Sequence, residues 1–311
     1  MGSVILSGVY VAVLTPFKED LSVDLDAFKW LIASLTRAGV DGVLISGTTG
    51  EWPSLKISER LKLVEAAREA SGRRVRILVG VMAGNAMETL EYAAAFRATD
   101  VDAVVATPPL YFRPSTRNLA KYFLSIAEAS EKPLVLYTIP SHVGYNIPIE
   151  TVELVAGESS LVVGIKATVD DLHYLHELVD RVKGQRRDFT VLAGYGEYLL
   201  EALAVGADGA IDAIANIVPG LVVRVRDSWA QGRLDEAVKT HRILALLYSR
   251  LRKMKPIQST LKAALRELGA PLSGRVRPPL AEATEDQVNT FLREICRSEI
   301  KPYLLEGLKC G

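Results

Sequence analysis

LVVGIKATVDD, residues 161–171, is the stretch on which the reading of this chain turns. Leu161, Val162, Val163, Gly164 and Ile165 form an apolar, β-branched run of the kind that fills a buried strand, and the run ends on Lys166. An ammonium ion at the end of a buried strand is costly unless it is paired or neutral. Two explanations fit. Lys166 is ion-paired at the rim to Asp170 or Asp171, or it is an amine held neutral for chemistry. Burial lowers a lysine pKa by as much as ~3–5 units, and a neutral amine is a nucleophile able to form a Schiff base with a ketone.

Working outward, the same kind of run recurs at 9–16, 42–47, 76–81, 102–109, 133–140, 189–196 and 209–216. Amphipathic segments separate the runs. LDAFKWLIASLTRAG puts Phe28, Leu31, Ile32 and Leu35 on one face with Gly39 as its stop, and SERLKLVEAAREASG opens on Ser58 as N-cap and closes at Gly72. Strand-like and helical patterns alternating in this way over about 230 residues predict a (β/α)8 barrel. The rival, a doubly wound sheet, calls for fewer strands and a Gly-rich turn after the first, and no GxGxxG occurs. After Gly232 only helical patterns remain. The expected organisation is a barrel over residues 1–231 and a three-helix C-terminal appendage over 232–311.

Composition narrows the partners. The 311 residues carry 37 Lys+Arg and 37 Asp+Glu, so net charge gives no reason to expect nucleic acid or an anionic membrane surface. No apolar run approaches the ~18 residues of a membrane span. The apolar N-terminus lacks a basic leader and reads as a first strand rather than a signal peptide. Cys296 and Cys310 stand alone, outside any CxxC pattern. They predict a cytoplasmic, reducing setting with neither a disulfide framework nor a cysteine metal site.

Barrel enzymes carry their sites at the C-terminal strand ends. The second strand ends in GTTGE, where Gly47 allows a concave turn and Thr48 and Thr49 add hydroxyl donors, a cradle for a small anion. No GK[ST] follows, so it is not a P-loop. The fourth strand leads to Tyr111, the fifth ends at Tyr137, and the seventh ends in GYGE, with Gly194 and Glu197. The eighth carries Ile211 and Asp212. Tyr137, beside Lys166, is placed to shuttle protons when desolvated and hydrogen-bonded; alone it would read as an aromatic lid on the core. Lys62, Lys121, Lys239 and Lys262 fall in helical patterns and read as solvated. His173 and His176 lack a third partner at motif spacing, so no metal is assigned.

Taken in order, VYVAVLTPF, GTTGE, TPPLYFRPS, YTIPSHVG, GIKAT and GADGAIDAIANIVP resemble the N-acetylneuraminate lyase / dihydrodipicolinate synthase family of class I aldolases. The likeness covers all but about the last dozen residues. It implies a lysine–pyruvate imine at Lys166, with Tyr137 as proton shuttle. Thr48 and Thr49 would hold the pyruvyl carboxylate, Tyr111 would reach a neighbour's site across a tight dimer, and Ile211 would pack over the imine. It further implies a homotetramer built as a dimer of dimers, with no metal and no cofactor beyond the covalent imine.

Departures from the pattern bear on the aldehyde partner. The synthases of the family resemble one another in an arginine after YxxPS; here His142 stands there, and an imidazole does not replace a guanidinium fork. GYGE has Gly196 in place of the aspartate of the sugar-acid lyases and keeps Glu197. GTTGEWPSL, with Trp52, resembles the 2-keto-3-deoxy sugar-acid aldolases, and Leu110 replaces a frequent second aromatic. The expected function is cleavage or formation of a 2-keto-3-deoxy sugar acid such as 2-keto-3-deoxygluconate, with pyruvate and an aldehyde as partners. Glu197, His142, Thr168 and Asp212 would serve the aldehyde. The alternatives are dihydrodipicolinate synthase, a sialic-acid-type lyase or dehydratase, and a non-catalytic acid-binding barrel.

Overall fold

The computed structural model describes residues 6–311. The N-terminal residues 1–5, read above as leading into the first strand, lie outside them. Eight parallel strands close into a barrel in chain order: β1 (Gly8–Ala12), β2 (Gly42–Ile45), β3 (Arg76–Gly80), β4 (Ala103–Ala106), β5 (Leu134–Thr138), β6 (Val162–Ala167), β7 (Thr190–Ala193) and β8 (Gly209–Asp212). The connecting helices are α1 (Leu25–Arg37), α2 (Ile57–Ser71), α3 (Ala86–Ala95), α4 (Thr116–Ser130), the single turn α5 (Pro140–Val143), α6 (Ile149–Glu158), α7 (Leu172–Glu177), α8 (Leu199–Ala204) and α9 (Pro219–Ala230). Beyond them lie α10 (Leu234–Leu251), α11 (Ile257–Glu267) and α12 (Glu285–Ile295), the three helices expected at the C-terminus.

Each strand alternates between two cores, as period-two side chains must. Val43, Ile45, Ile77, Val79, Val104, Leu134, Leu136 and Val191 face the helices. Tyr10, Leu44, Leu78, Val105, Val135, Tyr137, Leu192 and Ile211 fill the barrel. β6 breaks the alternation. Leu134 pairs with Val162 but Val135 pairs with Gly164, so Val163 is an extra residue. Val162 and Ile165 pack outward while Val163 packs inward. Such a bulge re-aims the side chains beyond it. Here it turns Lys166 to the same side as Tyr137, its register partner on β5.

Helix ends follow local chemistry. The Asp24 carboxylate accepts the Ala27 N–H at 3.0 Å to cap α1, and Gly72 ends α2 at φ 57°. The expected N-cap Ser58 lies inside α2. The helix starts at Ile57, two residues earlier than that cap would set, with the Glu59 carboxylate accepting the Lys56 N–H at 2.9 Å.

Two further expectations are overturned. Lys262, read as solvated, is 1% exposed on α11 and donates to Glu51 at 2.5 Å. Its pKa is pushed down to about 8, burial outweighing the Glu51 carboxylate. Cys296 and Cys310 form a disulfide with their Cα atoms 5.7 Å apart, within the range of ordinary bridges. The bridge ties the chain end to the close of α12, so the pair does not argue for a reducing compartment. Among the described residues no helix is long and apolar enough to cross a membrane.

Candidate active site

Lys166 reaches the C-terminal mouth of the barrel and is 3% exposed. Its Nζ lies 4.3 Å from the centroid of the Tyr137 ring. It forms no ion pair with any described residue: Asp170 is taken by Arg252, which donates to both its carboxylate oxygens at 2.8 and 2.7 Å, and Asp171 caps α7 through the His173 and Tyr174 N–H groups. The rim ion pair that would make Lys166 merely structural is therefore absent. Tyr137 is 1% exposed, and its hydroxyl lies 3.3 Å from Thr48 Oγ1. Lysine, tyrosine and threonine from three strand ends thus converge.

The turn after β2 is concave. Ser46 and Glu51, at its two ends, adopt φ 54° and 59°. The N–H groups of Thr48 and Thr49 donate to no acceptor among the described residues. Consecutive free N–H groups in such a turn form an anion-binding nest. Buried hydroxyls without partners, Ser46 Oγ and Thr168 Oγ1, add unused hydrogen-bonding capacity. Thr168 follows β6 and crosses close to Gly194 at the end of β7; a Cβ on Gly194 would stand 1.7 Å from Thr168 Oγ1, so only glycine fits there. Gly47 accepts the Trp52 N–H at 3.3 Å, closing the turn. Ile211 lies in the inner core beneath the mouth.

Beside Thr48 opens a cavity of about 300 Å3 lined by Trp52, Thr107, Ile139, His142, Gln258 and Leu280. His142, on α5, has its Nδ1 3.0 Å from Ser141 Oγ. Its pKa is lowered by burial, then by the neighbouring charges of Lys255 and Lys166, which favours the neutral imidazole at pH 7. Glu197 takes no part in this wall: Arg252 holds its carboxylate, with its guanidinium stacked 4.2 Å from the Tyr195 ring centroid.

Asp212 follows inward-facing Ile211 and so faces outward. Its Oδ1 accepts the Ile214 and Ala215 N–H groups, at 2.5 Å and 3.4 Å, and its Oδ2 is buried without a partner. A Cβ on residue 196 would lie 1.6 Å from that oxygen, so the carboxylate occupies the space a side chain on Gly196 would need. Burial pushes the Asp212 pKa up to about 7, against the lowering effect of the two N–H groups and of Lys166.

Tyr111 is 92% exposed at φ 70°, with Phe112 edge-on at 5.2 Å and 75% exposed. Within one chain it does not reach Tyr137. His173 and His176 are exposed on α7.

Sequence reasoning missed Ser46, Gln258 and the Glu51–Lys262 pair. Ser46 had a signal in its place directly after a buried strand. Gln258 and Lys262 had only helical spacing, with nothing to tie them to a turn some two hundred residues earlier.

An unpaired lysine at one strand end, a tyrosine opposite it and a nest for a small anion thus share one mouth of the barrel. The sequence matches the dihydrodipicolinate synthetase family over residues 5–297, and the chain belongs to that family. It is 34% identical to an uncharacterised DapA-like lyase of Thermofilum pendens over 93% of this chain and 97% of that one. It is 33% identical to the 4-hydroxy-tetrahydrodipicolinate synthase of Methanopyrus kandleri, covering 96% of this chain and 98% of that one. YagE of Escherichia coli K12, a putative 2-dehydro-3-deoxy-D-gluconate aldolase, is 32% identical over 94% of this chain and 98% of its own. The structure of YagE in complex with pyruvate superposes with a TM-score of 0.91, covering 96% of this chain and 99% of that one.

Proposed function

We propose that this lyase is a pyruvate-dependent Schiff-base aldolase acting on a 2-keto-3-deoxy sugar acid. The observation that carries the reading is Lys166, buried, without an ion pair, and facing Tyr137. Its amine adds to C2 of pyruvate, giving a carbinolamine. Loss of water leaves the iminium, loss of a C3 proton gives the enamine that attacks an aldehyde, and water then hydrolyses the product iminium to free the keto acid and the Lys166 amine. Cleavage runs the same steps in reverse. Tyr137, bonded to Thr48, is the group placed to carry protons at each stage. The Thr48 and Thr49 N–H groups and hydroxyls receive the carboxylate, and Ile211 packs beneath the imine.

The iminium is itself the electron sink, so the reading invokes neither a metal nor an organic cofactor. Exposed Tyr111 supports a working dimer, extended to a dimer of dimers, in which this residue enters a partner's site. Barrel (1–231) and appendage (232–311) are proposed as its two units. For the aldehyde, neutral His142 in place of an arginine favours a polyhydroxy acceptor over one carrying its own carboxylate. The relative in Methanopyrus kandleri keeps dihydrodipicolinate synthase as the second reading.

Borohydride reduction in the presence of pyruvate tests the chemistry. One reduced pyruvyl group per chain, on the peptide containing Lys166, is the expected outcome. Absence of label, or label on another lysine, would overturn it.

A further inference from the structure

The turn that forms the carboxylate nest is gripped by a helix that is not part of the barrel. α11 places Gln258 and Lys262 one turn apart, on one face. Gln258 Nε2 donates to the Thr48 carbonyl at 3.0 Å. Lys262 Nζ donates to Glu51 Oε1 at 2.5 Å and to the Arg275 carbonyl at 2.9 Å, and Glu51 Oε2 accepts the Arg277 N–H at 3.0 Å. The Lys262 and Glu51 side chains are each 1% exposed. Glu51 holds a left-handed backbone, φ 59°, that a residue with a side chain seldom adopts unaided.

These contacts do more than anchor a helix. A trans peptide is planar, with its C=O and N–H pointing in opposite directions. Whatever fixes the Thr48 carbonyl therefore aims the Thr49 N–H. That carbonyl accepts the Glu51 N–H at 3.2 Å within the turn, and Gln258, reaching it from α11, completes the hold that turns the Thr49 N–H, free of any acceptor among the described residues, to the opposite side. Lys262 holds the other end of the same turn through Glu51.

We propose that Gln258 and Lys262 are positioning residues for the anion nest, so that affinity for the keto acid's carboxylate is set from α11. The proposal rests on the reading of Thr48 and Thr49 as the pyruvate cradle. A helix that only stabilised the fold would change melting behaviour alone. A helix that aims the nest changes the pyruvate KM while leaving the chemistry at Lys166 largely intact.

The test uses the full-length chain as wild type, Gln258→Leu and Lys262→Met. Each is assayed for steady-state turnover and for pyruvate-dependent borohydride labelling, with folding checked by circular dichroism. Gln258→Leu keeps the bulk and removes the donor. It is expected to raise the pyruvate KM and the half-saturating concentration for labelling about tenfold, with kcat within about threefold. Folded Lys262→Met is expected to move the same parameters in the same direction. If that variant does not fold, Gln258→Leu decides alone. A pyruvate KM within about twofold of wild type in Gln258→Leu would overturn the proposal. Wild-type protein that takes no label at Lys166 would overturn the aldolase reading itself, and the proposal with it. The two failures differ because the second is visible without any variant.

Discussion

Tyr137 and Lys166 are register partners across the β5–β6 ladder, and the amine stands 4.3 Å from the centroid of the phenol ring. The ring forms one wall of the amine's pocket, and the hydroxyl reaches past it to Thr48 Oγ1 at 3.3 Å. One side chain therefore packs against the Lys166 amine and, in the proposed mechanism, also offers it a proton path.

Tyr137→Phe separates these duties, since it keeps the ring and deletes the hydroxyl. We expect kcat to fall by at least ~10²-fold, the usual weight of a positioned acid–base group, with little change in melting temperature. Steady-state assays and a thermal melt check this. Undiminished turnover would remove Tyr137 from the proton path.

The aldehyde preference is read from His142. Wild-type protein should use glyceraldehyde better than aspartate semialdehyde by at least ~10-fold in kcat/KM, a difference of ~1.4 kcal/mol. His142→Arg should shift the ratio towards aspartate semialdehyde by supplying a carboxylate fork at the cavity wall. A wild-type preference for aspartate semialdehyde would hand the assignment to the synthase reading.

Asp212 gives a pH signature. Its folded pKa, about 7, lies above the ordinary 3.8 because burial disfavours the charge. The folded state therefore holds the proton more tightly, and this group's contribution to stability is complete below about pH 4. It is lost as pH rises through 7, by a few kcal/mol in all. Asp212→Asn cannot titrate and should flatten that decline relative to wild type. Urea unfolding of both proteins at pH 5 and pH 8 reads the difference. Parallel pH dependence in the two proteins would show that Asp212 does not bury a neutral carboxyl.

The Cys296–Cys310 bridge closes a loop with a sequence separation of 14. Loops of about this size give ~3 kcal/mol in the chain-entropy account. Cys310→Ser should melt several degrees lower and lose all sensitivity to reductant, whereas wild type should fall to the same melting temperature once reduced. A wild-type melt indifferent to a strong reductant would argue against the bridge.

The barrel was legible because a parallel barrel buries each strand on both faces, leaving eight apolar runs that few other folds would require. Lys166, Tyr137 and Thr48 were legible for a related reason: polar residues at the ends of such runs stand out. Asp212 was misplaced by position alone. Strand alternation from Ile211 already pointed it outward, towards Gly196 and the helices, and that signal went unused. Lys262 shares a face with Leu265, three residues on, so its burial had a pattern behind it, but its partner Glu51 lies far away in sequence and only the folded chain brings them together. Cys310 pairs because the tail folds back over the barrel, with the Leu305 N–H on the Ile217 carbonyl at 2.8 Å and the Lys309 N–H on the Leu268 carbonyl at 2.9 Å. No local pattern announces that path.

The inserted Val163 gives β6 a phase. Residues before and after it run on opposite parities, so the identity of the wall that receives the amine is a matter of odd or even count. Excising Val163, which lies outside the register, would leave Lys166 paired with Tyr137, whereas excising Ile165 beyond the bulge would pair Lys166 with outward-facing Leu136 and deliver an alanine to the mouth. The face that Lys166 takes is thus set by an integer as much as by an amino acid. A single-codon deletion between the bulge and the lysine can turn it away from the mouth without touching the lysine itself.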